Sequence, residues 1–207
     1  MALEVSEIFH SIQGESSWSG LPCVFIRLTG CNLRCAYCDT TYAYEQGRFM
    51  EIPDILERVR ELRCDLVEVT GGEPLVQPDT PPLICRLLDA GHTVLLETNG
   101  SMDIGVVDLR CVRIVDIKCP SSGMAKQNDL RNLKKLGARD ELKLVIANRQ
   151  DYEFARNLLS SLPAVQYKIN FSPVFGVLDP RTLAEWILED RLAVRLNLQL
   201  HKIIGLR

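Results

Sequence analysis

Cys31-x3-Cys35-x2-Cys38 constrains this chain more than any other stretch. The three cysteines follow an apolar, β-branched run, Cys23-Val24-Phe25-Ile26-Arg27-Leu28. Asn32 and Arg34 stand between them, so the motif reads as an exposed loop leaving a strand and not as core. Three thiolates hold three corners of a four-iron cluster and leave one iron open to a further ligand, whereas four would saturate it. Two other uses of three cysteines compete. One is a zinc site that borrows Asp39 or a histidine, and the other is thiols packed as small hydrophobes.

The 207 residues suggest a single domain, residues 1–207, large enough to bury a core. With 24 basic and 27 acidic residues and a net charge of -3, the chain carries no footprint for nucleic acid or an anionic membrane, and a small molecule is the default partner. The first residues include Glu4 and Glu7 and lack a basic segment followed by an apolar run, so neither a signal peptide nor a membrane span is expected. Eight cysteines in a chain this rich in apolar residues point to a reducing, cytoplasmic setting rather than to a disulfide framework. Cys23, Cys64, Cys85 and Cys111 read as packing residues; Cys119, beside Lys118, is left open.

Residues 2–9 alternate in part and read as a half-buried strand at a sheet edge. Residues 23–28 form the next strand and deliver the cysteine loop at its C-terminal end. A helix from Ile52, with Pro53 and Asp54 in its first turn, precedes strand Leu66 to Thr70. Helix Pro81 to Ala90, stopped by Gly91, precedes strand His92 to Leu96. Strand Val112 to Ile117, helix Asn128 to Leu136, strand Glu141 to Ile146, helix Tyr152 to Leu159, strand Gln166 to Phe171 and helix Arg181 to Leu188 continue the alternation. Residues 192–200 alternate cleanly and read as a last strand. Strands alternating with helices argue for parallel βαβ units with right-handed crossovers. A full eight-unit barrel takes about 250 residues, so the expected fold is α/β, an incomplete (β/α)6 barrel with mostly parallel strands. The unusual residues, among them Gly71-Gly72-Glu73, Glu97-Thr98-Asn99, Lys118 and Ser172, fall at the C-terminal ends of these strands. In a parallel barrel that is one face, and it is the expected active site.

The cysteine spacing, the aromatic Tyr37 before the third cysteine, and Gly71-Gly72-Glu73-Pro74 one strand later resemble the radical S-adenosylmethionine enzymes. Within that superfamily Phe9-His10-Ser11-Ile12-Gln13-Gly14-Glu15, Arg27 and Cys38-Asp39-Thr40 are similar to the ring-contracting 7-carboxy-7-deazaguanine synthases, over essentially the whole chain. The resemblance implies a 4Fe-4S cluster on Cys31, Cys35 and Cys38, and S-adenosylmethionine held by Tyr37, Cys38, Asp39, Gly72, Glu73, Lys118, Ser121 and Ser172. It also implies Mg²⁺ on Thr40, and a pterin substrate met by Ile12, Gln13, Gly14, Glu15, Arg27, Thr70 and His201. The implied reaction turns 6-carboxy-5,6,7,8-tetrahydropterin into 7-carboxy-7-deazaguanine and ammonia for queuosine and 7-deazapurine biosynthesis. The adenosyl radical does the chemistry, and no side chain is assigned as catalytic. A flavodoxin- or ferredoxin-type reductant and a homodimer are expected with it.

Taken by themselves, the residues leave several of these roles open. Gly71 and Gly72 let backbone approach a ligand closely, or simply make a turn. Tyr37 offers a ring face to an adenine or plugs the cluster. Asp39 is the harder magnesium ligand, and only the resemblance selects Thr40; the pair also suits a turn. Gln13, Gly14 and Glu15 offer an acceptor amide, bare backbone and a carboxylate to the donor-rich edge of a pterin. Arg27 offers a fork for a carboxylate or makes a surface ion pair. His92 reads as a turn residue, and His10 and His201 as structural or ligand-facing. A glycyl-radical activating enzyme and a non-catalytic iron-sulfur module remain as alternatives; the second requires a fourth protein ligand.

Alanine at Cys31, Cys35 or Cys38 is expected to abolish the four-iron absorbance and S-adenosylmethionine cleavage after anaerobic reconstitution, while Cys64→Ala and Cys85→Ala keep both. Normal cleavage by Cys35→Ala would refute the cluster assignment.

Overall fold

The computed structural model describes residues 1–163 and 165–206. Nine strands form one open sheet in the order β3-β1-β2-β4-β5-β6-β7-β8-β9. They are β1 (Ala2–Ile12), β2 (Pro22–Leu28), β3 (Arg48–Glu51), β4 (Leu66–Gly71), β5 (Thr93–Thr98), β6 (Val112–Ile117), β7 (Glu141–Ile146), β8 (Lys168–Pro173) and β9 (Arg195–Leu196). From β2 through β9 every pairing is parallel. β1 and β3 are added antiparallel at one side. Helices α1 (Ile52–Glu61), α2 (Thr80–Asp89), α3 (Arg149–Ser161) and α4 (Pro180–Glu189) cover the outer face, and a short α5 (Leu200–Ile203) ends the described chain.

Local chemistry explains the helices. Pro53 and Asp54 occupy the first turn of α1, and Ile52, Ile55 and Val59 form its buried stripe. Asn148 caps α3 by accepting from Asp151 N, and Asp179 caps α4 by accepting from Arg181 N. Outward strand residues such as Ile26, Val69, Leu96, Val115 and Leu144 meet Ile55, Leu83, Leu87, Tyr152 and Leu183 in the main core. A smaller cluster of Cys23, Phe25, Leu66, Leu95, Val112 and Ile114 fills the concave side at the strand starts.

Three expectations need correction. β1 is not an edge, because β3 pairs outside it, with Ala2 opposite Glu51 and Val5 opposite Arg48. The helix expected over Asn128 to Leu136 is a 3₁₀ segment, Leu130–Lys135. Its apolar residues Leu130, Leu133 and Leu136 recur every third position, the 3₁₀ period, and the buried Asn132 amide bonds to the carbonyls of Gly100 and Met102. The strand expected over 192–200 shrinks to Arg195–Leu196. Asn197 ends it by turning its side chain to Ser172 Oγ at 3.0 Å, and the chain then coils into α5. Leu192, Val194 and Leu196 alternate because they pack against the main core, not because they all lie in a ladder.

The crossover from β6 to β7 is anchored by a buried ion pair. Asp140 accepts from Arg113 N at 2.8 Å, Arg113 Nη2 at 2.5 Å and Gly137 N at 2.8 Å, with both charged side chains 4% exposed. Removing one partner of a buried pair costs about 3–5 kcal/mol. Asp140→Ala is therefore expected to lower the urea midpoint of the metal-free protein without changing the slope. An unchanged midpoint would refute the structural role.

Candidate active site

Side chains alternate along each strand, so one set from every strand points to the concave side. Early in the strands this set is apolar: Cys23, Leu66, Leu95 and Ile114. One or two pleats later it becomes Arg27, Glu68, Glu97, Asp116, Lys118 and Lys143, and these line a cavity of about 580 Å³ at the C-terminal strand ends. The cavity also takes in Cys31, Cys35, Cys38, Tyr37, Asp39, Thr40, Gly72, Thr70, the loop Ile12 to Glu15, Gln199, His201 and Lys202.

The floor is a buried charged layer. Lys143 lies directly across the β6–β7 ladder from Asp116, and its ammonium bridges Glu97 at 2.7 Å and Glu15. Burial works against that charge, but the surrounding Glu15, Glu97 and Asp116 hold Lys143 well above the usual lysine range. Glu15 goes the other way: burial opposes its ionisation, yet Lys143 and the Gln199 amide keep its carboxyl below the ordinary value. Glu68 has no such partner. Burial and the nearby Glu97 push it well above the carboxylate range, and the Gln13 amide donates to its Oε2. Asp116 pairs with Lys118 at 2.7 Å through Oδ2, while its buried Oδ1 has no partner among the described residues.

On the opposite wall the cysteine loop is docked onto β4 by glycines. A Cβ on Gly72 would stand 2.1 Å from Gly30 O and 2.7 Å from Cys31 Cβ; one on Gly71, at φ +148°, would stand 2.1 Å from Leu28 O. These glycines thus admit the cluster loop itself. Gly72 N donates to Leu28 O and Glu73 N to Gly30 O, which locks the turn to the loop. Arg34 reaches back to the carbonyls of Cys31 and Leu33 at 2.7 and 2.8 Å. Cys31, Cys35 and Cys38 are half-buried on the cavity wall. Among the described residues no group of three or more His, Cys, Asp or Glu side chains, the three cysteines included, is already gathered as a metal-ligand set.

Two loops form the rim. Gly14 lies under His201 so tightly that a Cβ would meet the His201 Nδ1 at 1.9 Å, and Leu200 N donates to Gly14 O at 2.8 Å. Lys202 pairs with Asp39, and Thr40 Oγ1 donates to Asp39 Oδ1 at 3.0 Å. Arg27 lines the cavity between the Phe9 and Tyr42 rings, with its Nε on Glu7 at 2.8 Å, so it is both cavity-facing and ion-paired.

Of the residues the sequence nominated, Glu73, Ser121 and Ser172 do not line the cavity. Glu73 is fully buried and accepts from Leu75 N, Asn99 N and Thr98 Oγ1, so its carboxylate braces the turn after β4. Ser121 is engaged by Asp151 and Asn148, and Ser172 by Asn197. His10 is exposed on β1, away from the cavity. The Gln13 amide differs from expectation too, since its carbonyl is already taken by Glu15 N at 3.0 Å. Glu68, Asp116, Lys143, Gln199 and Lys202 were missed. The signal for the first three was a charge set between apolar neighbours inside a strand, as in Val67-Glu68-Val69, Val115-Asp116-Ile117 and Leu142-Lys143-Leu144.

Comparison with known proteins gives the site its context. Residues 25–111 match the model of the radical SAM superfamily. A 7-carboxy-7-deazaguanine synthase of Chlorobaculum tepidum is 49% identical over 206 residues, covering 98% of this chain and 94% of that protein. One from Koribacter versatilis is 44% identical, covering 98% and 96%. The crystal structure of QueE from Escherichia coli superposes with a TM-score of 0.83 at 24% identity, over 97% of this chain and 95% of that one. That of Streptococcus suis SuiB bound to S-adenosylmethionine gives 0.57 at 14% identity, over 81% and 48%, and supports the fold alone. With a three-cysteine loop on the wall of a cavity floored by buried charge, and with full-length relatives of this identity, the chain belongs to the 7-carboxy-7-deazaguanine synthase family of radical SAM enzymes.

Proposed function

We propose that this protein converts 6-carboxy-5,6,7,8-tetrahydropterin to 7-carboxy-7-deazaguanine and ammonia. The observation that carries the reading is that one cavity joins the three-cysteine wall to a buried floor of hydrogen-bonding groups. Membership of the superfamily brings a 4Fe-4S cluster and S-adenosylmethionine to this site. The donors fit both: three half-buried thiols on one cavity wall suit a cluster with one open iron, and the unpartnered Asp116 Oδ1 beside Lys118 suits a polar ligand next to it. When bound, the pair supplies the carbon radical that takes a hydrogen atom from the substrate.

The chain's own residues then bind and orient. Tyr37, Gly72 and Lys118 face the cluster end of the cavity, where S-adenosylmethionine would lie. Arg27, held in one plane by Phe9, Tyr42 and Glu7, is placed to take the substrate carboxylate. Thr70 stands beside it across the β2–β4 ladder. Thr40, with Asp39 hydrogen-bonded beside it, would offer oxygen to a magnesium ion that helps to hold the substrate carboxylate; Asp39 is paired with Lys202. Ile12 to Glu15 and His201 close around the heterocycle. The reading further includes a homodimer and a flavodoxin- or ferredoxin-type electron donor. It also includes a cytoplasmic setting, in keeping with eight unpaired cysteines. Among the described residues no helix is long and apolar enough to cross a membrane.

Anaerobic reconstitution with S-adenosylmethionine, magnesium and a reductant is expected to turn the carboxylated pterin into a deazaguanine chromophore. Losing one partner of a buried charge pair costs roughly 2–5 kcal/mol, so Arg27→Ala is expected to lower kcat/KM by about thirty-fold or more with the cluster intact. Turnover of the pterin by Arg27→Ala at wild-type efficiency would show that the carboxylate is held elsewhere.

A further inference from the structure

Gln13 and Glu68 meet at the bottom of the cavity, 3% and 2% exposed, from the loop after β1 and the middle of β4. The orientation of the Gln13 amide is fixed by its neighbours. Glu15 N is a donor, so the amide atom 3.0 Å from it is the carbonyl oxygen; turning the amide over would set two donors against each other. The NH₂ group therefore faces Glu68 and donates one hydrogen to Oε2. The main-chain groups of Gln13 are also engaged, N with Leu21 O at 2.8 Å and O with Gly20 N at 2.8 Å. With one hydrogen on Glu68, the NH₂ group keeps a second to offer, and Gln13 lines the cavity.

We infer that Glu68 is a positioning residue for substrate recognition: its carboxyl holds the Gln13 amide so that an N–H is presented to a ring acceptor of the substrate. The inference deepens the proposed function and rests on its substrate class, an amino-pyrimidinone with oxo and ring-nitrogen acceptors as well as donors. Glu68 faces Glu97, Glu15, Lys143 and Arg27, and Lys143 is already committed to Glu15 and Glu97. Protonated or ionised, the Glu68 carboxyl has an oxygen that accepts from the Gln13 amide. A glutamine at position 68 retains such an oxygen, whereas leucine removes it and frees the amide to rotate.

The test is anaerobic calorimetric titration of the cluster-loaded enzyme, with S-adenosylmethionine and without reductant, by 6-carboxytetrahydropterin. Glu68→Leu is expected to raise Kd about tenfold, the scale of one misdirected hydrogen bond. Glu68→Gln is expected to recover most of that loss, to within about threefold of wild type by the same reckoning. In a Gln13→Ala background, Glu68→Leu is expected to add less than about twofold, because its effect passes through the amide. Gln13→Glu, which puts an oxygen where the N–H points, is expected to weaken binding about tenfold and serves if Glu68→Leu does not fold. Wild-type affinity in Glu68→Leu or Gln13→Glu, equal losses in the two Glu68 variants, or an undiminished loss in the Gln13→Ala background would overturn the inference. A wild-type enzyme that does not bind the pterin at all would overturn the proposed function, and this inference with it.

Discussion

One buried ammonium organises the interior. Lys143 on β7 reaches Glu97 from β5 and Glu15 from the loop between β1 and β2, so two strands and a loop distant in sequence are tied at one point. The tie draws residues 13–17 into the concave side of an open sheet. There they also receive Gln199 on Glu15, Leu200 N on Gly14 and Arg195 on Ser16 O, all from the far edge. Ser17 is held by Glu141 at the start of β7. The gap that an incomplete barrel leaves between its two edges is thereby bridged by polar loop contacts and not by a ladder.

This arrangement is costly to desolvate, and the fold separates the cost from its support. Buried ion pairs return little net stability, since removing charges from water offsets most of their mutual attraction. The outward residues of the same strands carry the compensating apolar burial, with Val67 and Val69 flanking Glu68, and Leu142 and Leu144 flanking Lys143. A strand in this protein is thus two sequences interleaved. One face stabilises the sheet against the helices, and the other builds a charged site.

That interleaving explains what could be read from the chain. The parallel strands stood out because their outward residues form apolar runs, and β6 and β7 were bounded to the residue. The cysteine loop, the Gly-Gly turn and the Gln13 to Glu15 loop were legible because their residue types are rare in cores. β3 was not, because Arg48-Phe49-Met50-Glu51 has no core signal: Phe49 is 78% exposed and the strand exists only by pairing with β1. Glu68, Asp116 and Lys143 were passed over as interruptions of strands, although a single charge in the same pleat phase of neighbouring strands is itself a site signal. Ser121, Ser172 and Glu73 stand outside the cavity lining for a reason the sequence does not carry: whether a polar group near a strand end faces the cavity or braces a turn depends on tertiary neighbours.

The relation between the cluster loop and the charged floor is set by the sheet. Arg27 and Leu28 pair with Thr70 and Gly71 in the β2–β4 ladder, and the chain then leaves β2 for Cys31 while Gly72 passes directly beneath it. Any side chain at position 72 would push the cluster loop off β4 by the width of a methyl group, against backbone that cannot yield as a flexible side chain can. Radical chemistry needs the reacting carbon and the hydrogen acceptor within near-attack distance, a tolerance of a fraction of an ångström. In the proposed function, Arg27, Thr70 and Glu68 reference the substrate to β2 and β4, and Gly71 and Gly72 reference the cluster loop to the same two strands. Because Arg27 and Thr70, like Leu28 and Gly71, belong to one hydrogen-bonded ladder, the separation between the cluster loop and the charged floor is set by the sheet and not by the rim loops.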